Sequence, residues 1–400
     1  MLTRNQKEHQ AKLQEQMERD GLDVMLITGP EAIYYCSGFA SQFMYITNRI
    51  GMALAVVPAQ GEVSLVVSEF EKKAAQQACT DVKIVSYPVW IYIADIPDDG
   101  KEKDAQPDMN QTFKMAAEII RDYKSDAKIG IQMESMPFQK WEYLCETFGR
   151  AQLVDAEPTL RKVRVHKTAW EIELIRENTH LLEDAMFRTY KKLEPGMSET
   201  EMYSIWNKEA LAGSVEVYDS FHTNMFGSNW SPKLLPDNEF RIQKGDVVRL
   251  DAAVWRKGYG SDLGRAAAIG GVAAHDGMNR VYEALHKGYD RMISMVGPGV
   301  RMCDVFNEVI PVIRAAGIPD YKRGHIGHSL GCSRFSEEYP FIAPDVTDVF
   351  EPGMIFCTEV PYYSSENNSY NLEDTLLITE NGVELFSHIP DTLNWDRIIR

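Results

Sequence analysis

The segment RLDAAVWRKGYGSDLGRAAAIG, Arg249 to Gly270, sets Asp251 and Asp262 eleven residues apart on either side of Lys-Gly-Tyr-Gly-Ser, each flanked by apolar residues. Carboxylates in apolar runs are costly to bury unless they are paired, hydrogen-bonded or bound to metal. More groups of this kind follow. RGHIGHSLGC carries His325 and His328 among glycines, GMIFCTEVPYY ends an apolar run on Glu359, and YNLEDTLLITENG sets Glu373 beside Asp374 just before another. Each carboxylate alone is more often a strand-end or turn residue, and His328 alone more often a satisfied histidine. Together Asp251, Asp262, His328, Glu359 and Glu373 make a hard, oxygen-rich set. It suits two divalent ions such as Mn, Fe, Co or Zn, bridged by shared carboxylates with a water between them.

The elements that must position these groups are readable from periodicity. Residues 3 to 20 form an amphipathic helix pattern, and DVMLITGP is a short apolar strand closed by Gly29-Pro30. MALAVVP, VSLVVS and VKIVSYP alternate with helical stretches such as SEFEKKAAQQA, which is the order of an α/β layer domain. A polar stretch at about residues 95 to 111 reads as a loop, and AKIGIQME and AQLVDAEP supply further strands. From Thr168, apolar residues Ile172, Ile175, Leu182 and Met186 recur at helical spacing and open a second domain. That domain carries a faint repeat. Pro195-Gly196 and Pro298-Gly299 each precede an amphipathic helix that ends at Gly213 or Gly317, and strands with acidic or histidine residues follow. Two similar halves would enclose a site between them.

Composition narrows the function classes. Four hundred residues exceed one comfortable core, so two unequal domains are expected. A net charge of −17 argues against nucleic acid as a partner. No apolar run reaches the ~18 residues of a membrane span, and the N-terminus is too polar for a signal peptide. The expectation is a cytoplasmic protein with no membrane partner. Six scattered cysteines without a CxxC spacing read as reduced and mostly core residues.

The residues also carry a family resemblance. Asp251, then Asp262-x-x-Arg265, then Gly327-His328-x-x-Gly331, then Pro352-Gly353-Met354 with Glu359-x-Pro361, then Glu373-Asp374 before a strand resemble the pita-bread metallohydrolases. That group includes prolidase, aminopeptidase P, methionine aminopeptidase and creatinase. GLDVMLITGPEAIYYCSGF is similar to the N-terminal domain of the prolidase and creatinase branch, and KTAWEIELIREN to its connecting helix. The resemblance implies an α/β creatinase-like N-terminal domain, residues 1–160. It implies an α+β pita-bread catalytic domain with a pseudo-twofold repeat, residues 161–400. It puts the dinuclear ligands at Asp251, Asp262, His328, Glu359 and Glu373, with Asp262 bridging. Creatinase, which works without metal, lacks so full a set.

Around the ligands the chain departs from the peptidases. A histidine expected seventeen residues before the first aspartate is Leu234, and one expected before Glu338-Tyr339-Pro340 is Glu337, or Phe335 on ungapped counting. The arginine two residues before the last glutamate is Asn371, and the threonine of Asp-x-Thr-Arg is Gly264. These changes imply a rebuilt substrate shell on a retained metal site. Candidates for proton transfer are His325, His222 and Glu338. Candidates for substrate contact are Arg49, Trp230, Trp255 and Tyr362, while Arg265 is expected to pair with a ligand carboxylate. The leading expectation is a metal-dependent hydrolase of a C–N bond in a small substrate. The alternatives are an Xaa-Pro dipeptidase proper, a relative acting on an osmolyte (a creatine- or ectoine-type hydrolase, or a dimethylsulfoniopropionate lyase), and a non-catalytic binding protein. The resemblance also implies a homodimer in which SGFASQFMYITNRIG, with Arg49, reaches across to the other subunit.

Overall fold

The computed structural model describes residues 2–47, 49–91, 93–94, 108, 110–213, 236–333 and 337–394. It divides into two compact units, Thr3–Arg164 and Met1–Leu2 with Val165–Arg400. His222, Trp230, Leu234, Phe335 and most of the polar stretch at 95–111 lie outside the described residues.

The first unit contains α1 (Gln6–Asp20), β1 (Val24–Ile27), α2 (Pro30–Ser37), α3 (Gln42–Thr47), β2 (Leu54–Pro58), β3 (Val63–Ser68), α4 (Glu69–Ala78), β4 (Val82–Tyr87), α5 (Gln111–Tyr123), β5 (Ile129–Ile131), α6 (Phe138–Phe148), β6 (Leu153–Asp155) and α7 (Glu157–Val165). Its sheet runs β4-β3-β2-β1-β5-β6. The antiparallel pairs β1–β2 and β2–β3 stand in the middle, with parallel neighbours outside them. β1, β2 and β3 are buried along their whole length, as their continuous apolar runs require of strands covered on both faces. Val24, Leu26, Leu54 and Val56 pack on Phe113, Ala116 and Ile120 of α5.

The second unit opens with α8 (Ala169–Tyr190) and α9 (Glu199–Ala212), followed by β7 (Val247–Ala252), β8 (Trp255–Arg256), β9 (Tyr259–Gly260) and β10 (Leu263–Ala268). Then come α10 (Asp276–Met295), α11 (Met302–Ala316), β11 (Gly327–Ser329), β12 (Glu338–Phe341), β13 (Ile355–Glu359), β14 (Tyr362–Ser364), β15 (Asn368–Tyr370), β16 (Glu373–Thr379) and β17 (Gly382–Leu385). Capping boxes start the first two helices. Thr168 with Glu171 opens α8, and Ser198 with Glu201 opens α9. The repeat is visible in the backbone. Gly196 (φ 95°) and Gly299 (φ 83°) take the left-handed conformation after their prolines, which a side chain would disfavour, and each turn leads into α9 or α11. Strands from both halves share one antiparallel sheet, ordered β12-β11-β13-β16-β10-β7 with β17 on β16.

Strand alternation decides what this sheet offers to each side. Val248, Leu250 and Leu263 pack with Leu182, Met186, Met202 and Trp206 of α8 and α9. Phe356, Leu376 and Ile378 pack with Tyr289, Met292, Val305 and Val309 of α10 and α11. The intervening residues of the same strands therefore face away from the helices, and they include Asp251, Glu359 and Glu373.

Candidate metal centre

The register lines the acidic residues up across four strands. Asp251 of β7 stands opposite Gly264 of β10, Gly264 opposite Glu373 of β16, and Glu373 opposite Glu359 of β13. One pleat further on the same face, Thr375 stands opposite Cys357, and Cys357 opposite His328 of β11. Asp262 closes this second row, since it precedes Gly264 by two and its carbonyl accepts from Thr375 Oγ1 at 2.8 Å. All five expected ligands thus lie on two adjacent rows of one sheet face.

The side chains converge. His328 Nδ1 is 3.1 Å from the Ser329 carbonyl, so its N–H donates there and its Nε2 lone pair is left facing inward. Nε2 is 3.8 Å from Asp262 Oδ2 and 3.7 Å from Glu373 Oε1. Donor atoms of Asp262, His328, Cys357 and Glu373, all buried, lie within 4.8 Å of one another.

Electrostatically the site crowds buried carboxyl groups together. Burial, then repulsion from Glu359 and Asp251, holds the Glu373 carboxyl well above the usual carboxylate range, and Arg265 offsets this only in part. Burial likewise raises Glu359, against the pull of Arg323 and His328. Burial pushes the Cys357 thiol up, with Asp262 and Glu373 adding to the effect. Crowded, desolvated carboxylates around an oriented imidazole fit a divalent ion, which would relieve the repulsion they exert on one another.

Three of the carboxylates have a dedicated donor. Arg249 Nη1 lies 3.2 Å from Asp251 Oδ2 and donates to Tyr363 Oη at 2.8 Å, with its guanidinium 4.8 Å from the Tyr363 ring centre. Arg323 Nη2 donates to Glu359 Oε1 at 2.9 Å. Asn371 Nδ2 donates to Glu373 Oε2 at 2.9 Å, while its buried Oδ1 has no hydrogen-bond partner. The opposite amide orientation would set Oδ1 against the carboxylate.

Asn371 also explains Gly264. A Cβ at Gly264 would come within 2.4 Å of Asn371 Cγ and 2.7 Å of its Cβ. With Asn371 in this position a threonine at 264 does not fit, so the two departures noted in the sequence are in direct contact.

The other expected residues are placed as follows. His325 is half-buried, with Nδ1 3.3 Å from Glu359 Oε1 and Nε2 3.8 Å from Glu337 Oε2. Burial lowers its pKa, and Glu337 partly counters this. Glu338 stands opposite Ser329 in the β11–β12 ladder, with its carboxylate beside Gly331. Besides Glu359, the acid beside His325 is Glu337. Trp255 is half-buried in the β8–β9 ribbon, and Tyr362 packs on the core under α10 and α11, whereas Tyr363 meets Arg249. Arg265 does not pair with a ligand carboxylate. Alternation turns it to the helix side, where it binds Asp374 (2.7 Å) and Glu183 (3.1 Å) and also donates to the Glu373 carbonyl. Arg49 is exposed in the first unit.

Arg249 and Cys357 are neighbours of the candidate site that a period-2 reading could reveal, because each precedes a candidate ligand by two residues on the same strand. Arg323 sits between elements and gives no periodic signal.

Residues 173–380 match the model of metallopeptidase family M24, and residues 10–166 match the creatinase/prolidase N-terminal domain. The chain belongs to metallopeptidase family M24. It is 25% identical over 382 residues to an uncharacterized peptidase of Bacillus subtilis, covering 93% of this chain and 96% of the relative. It is 23% identical over 380 residues to the Xaa-Pro dipeptidase of Pyrococcus furiosus, covering 94% and 97%. In structure it is similar to an Xaa-Pro dipeptidase from Bacillus anthracis, with a TM-score of 0.80 at 19% identity over 98% of this chain and 99% of that one. It is also similar to the prolidase from Pyrococcus horikoshii, with a TM-score of 0.76 at 19% identity over 96% and 99%. The pita-bread architecture with a creatinase-like N-terminal domain is the fold of this chain, and its enzyme class is metallohydrolase. Among the described residues no helix is long and apolar enough to cross a membrane.

Proposed function

We propose that this M24 member is a hydrolase of a C–N amide bond in a small substrate, acting through two divalent ions at Asp251, Asp262, His328, Glu359 and Glu373. One observation carries the reading: two adjacent rows of a single sheet face bear all five ligands while the residues bracing them have been exchanged. Ions held there would supply Lewis acidity, making a water more acidic and polarising the scissile carbonyl. The chain's own residues do the rest. His328 is fixed in one tautomer by Ser329, and Arg249, Arg323 and Asn371 orient Asp251, Glu359 and Glu373. His325, whose pKa burial lowers, is placed to take the proton given up by the attacking water and pass it to the departing nitrogen, with Glu337 beside it.

The substrate shell separates this reading from an Xaa-Pro dipeptidase proper. Asn371 stands where those enzymes carry an arginine, and Glu337 or Phe335 where they carry a histidine. The names of the relatives favour the dipeptidase as the second reading. Glycyl-proline hydrolysis, measured before and after adding manganese, decides between them. The first reading expects metal uptake with little cleavage of glycyl-proline and turnover of other small amides; rapid cleavage establishes the second. A homodimer belongs to the same reading, and a solution mass equal to one 45.5 kDa chain contradicts it.

A further inference from the structure

We propose that Cys357 is a sulfur donor to the ion held by Asp262, His328 and Glu373, so that this ion has mixed oxygen, nitrogen and sulfur ligation. The inference rests on the metal-dependent reading above and adds a residue to it. Alternation puts Cys357 on the ligand face, two residues before Glu359, and the ladder sets it between His328 and Thr375. Its Sγ belongs to the group of four donors that lie within 4.8 Å of one another, and its side chain is fully buried.

Distances in the cluster approach those of a single four-coordinate ion. Ligands about 2.0–2.3 Å from a tetrahedral ion stand about 3.3–3.8 Å apart. His328 Nε2 is already 3.7 Å from Glu373 and 3.8 Å from Asp262. Closure by about 1 Å at the widest pair seats all four donors.

The sulfur is also available. Thr375 Oγ1, 3.5 Å away, spends its proton on the Asp262 carbonyl at 2.8 Å, and the other polar neighbour of the thiol is that same carbonyl at 3.9 Å. With the Thr375 proton on the Asp262 carbonyl, the thiol is left to donate to these oxygens, and its sulfur remains one of the four donor atoms of the cluster. Ligation would release the thiol proton to solvent. A thiolate among the ligands favours borderline ions such as zinc and cobalt over manganese.

The test uses the full chain, stripped of metal and reloaded with one equivalent of zinc or of cobalt(II). Zinc-edge X-ray absorption of the wild type is expected to show one sulfur scatterer at about 2.3 Å. Cobalt(II) is expected to give an intense near-ultraviolet thiolate charge-transfer band. In folded Cys357→Ser both signals disappear, and zinc affinity falls by about tenfold or more while manganese affinity changes less. A wild-type shell of oxygen and nitrogen alone overturns the proposal and leaves the hydrolase reading standing. A sulfur signal that survives in Cys357→Ser overturns it too. The wild-type absorption measurement decides the matter even if the variant fails to fold. A chain that takes up no ion overturns both this inference and the reading beneath it.

Discussion

Gly264→Ala tests whether the two exchanged positions form one packed unit. The new Cβ would meet Asn371 Cγ at 2.4 Å, Nδ2 at 2.6 Å and Cβ at 2.7 Å, atoms near the backbone that cannot swing aside. Overpacking of this kind costs about 1–3 kcal/mol. Displacing Asn371 also breaks its 2.9 Å bond to Glu373 Oε2. Because burial raises the Glu373 pKa, the bond is counted as one between neutral groups, about 0.5–1.5 kcal/mol, and with the clash the expected loss for the single variant is about 1.5–4.5 kcal/mol. Asn371→Gly loses the same hydrogen bond but vacates the space. In the double variant the clash is gone and the bond is lost only once, so the two changes together cost less than their sum by the full cost of Gly264→Ala, about 1.5–4.5 kcal/mol. The glycine's backbone entropy, about 0.5–1 kcal/mol, enters both arms of the cycle and cancels. Urea unfolding of the metal-free proteins, followed by tryptophan fluorescence and fitted for midpoint and slope, gives the four free energies. Additivity within about 0.5 kcal/mol would refute the coupling.

Glu373→Gln removes a buried carboxyl that repels Glu359 and Asp251, so the metal-free variant is expected to melt about 2–4 °C higher, near 1 kcal/mol, while losing metal affinity; a lower melting temperature contradicts this. The same residue sets a pH dependence. Its folded pKa lies above the ordinary 4.5, so the folded chain keeps a proton that the unfolded chain gives up. Its contribution to stability therefore falls as pH rises from the unfolded value through the raised folded one. Metal-free wild type minus Glu373→Gln should thus show a melting difference that grows more negative above about pH 4.5, and a pH-independent difference rejects the assignment. Arg323→Met leaves Glu359 without its guanidinium donor; metal affinity measured by chelator competition should fall by about 10–100-fold, and an unchanged affinity would show that Arg323 does not position the ligand.

Much of this was legible in the residues. Short strands with continuous apolar runs, such as β1 to β3, announce burial on both faces, and the capping signals at Thr168 and Ser198 fix where α8 and α9 begin. The rows of candidate ligands were legible because alternation makes a carboxylate in an apolar strand conspicuous. The same alternation applies to Arg249 and Cys357, but a cysteine in such a run reads as core, and an arginine beside an aspartate reads as its surface partner. Arg265 pairs with Glu183 and Asp374 rather than with a ligand carboxylate because the odd-even pattern of its strand turns it to the helix side. The link between Gly264 and Asn371 could not be read from one sequence. It depends on the register of β10 against β16, which joins residues far apart in the chain.

The most direct test of the central claim is the metal content of the full chain, purified without chelator and then equilibrated with manganese, cobalt or zinc before elemental analysis. The account predicts about two divalent ions per chain, with uptake lost when Asp262 or His328 is replaced by alanine. A folded wild-type chain that binds no ion even when one is supplied would contradict the assignment of Asp251, Asp262, His328, Glu359 and Glu373 as a metal centre.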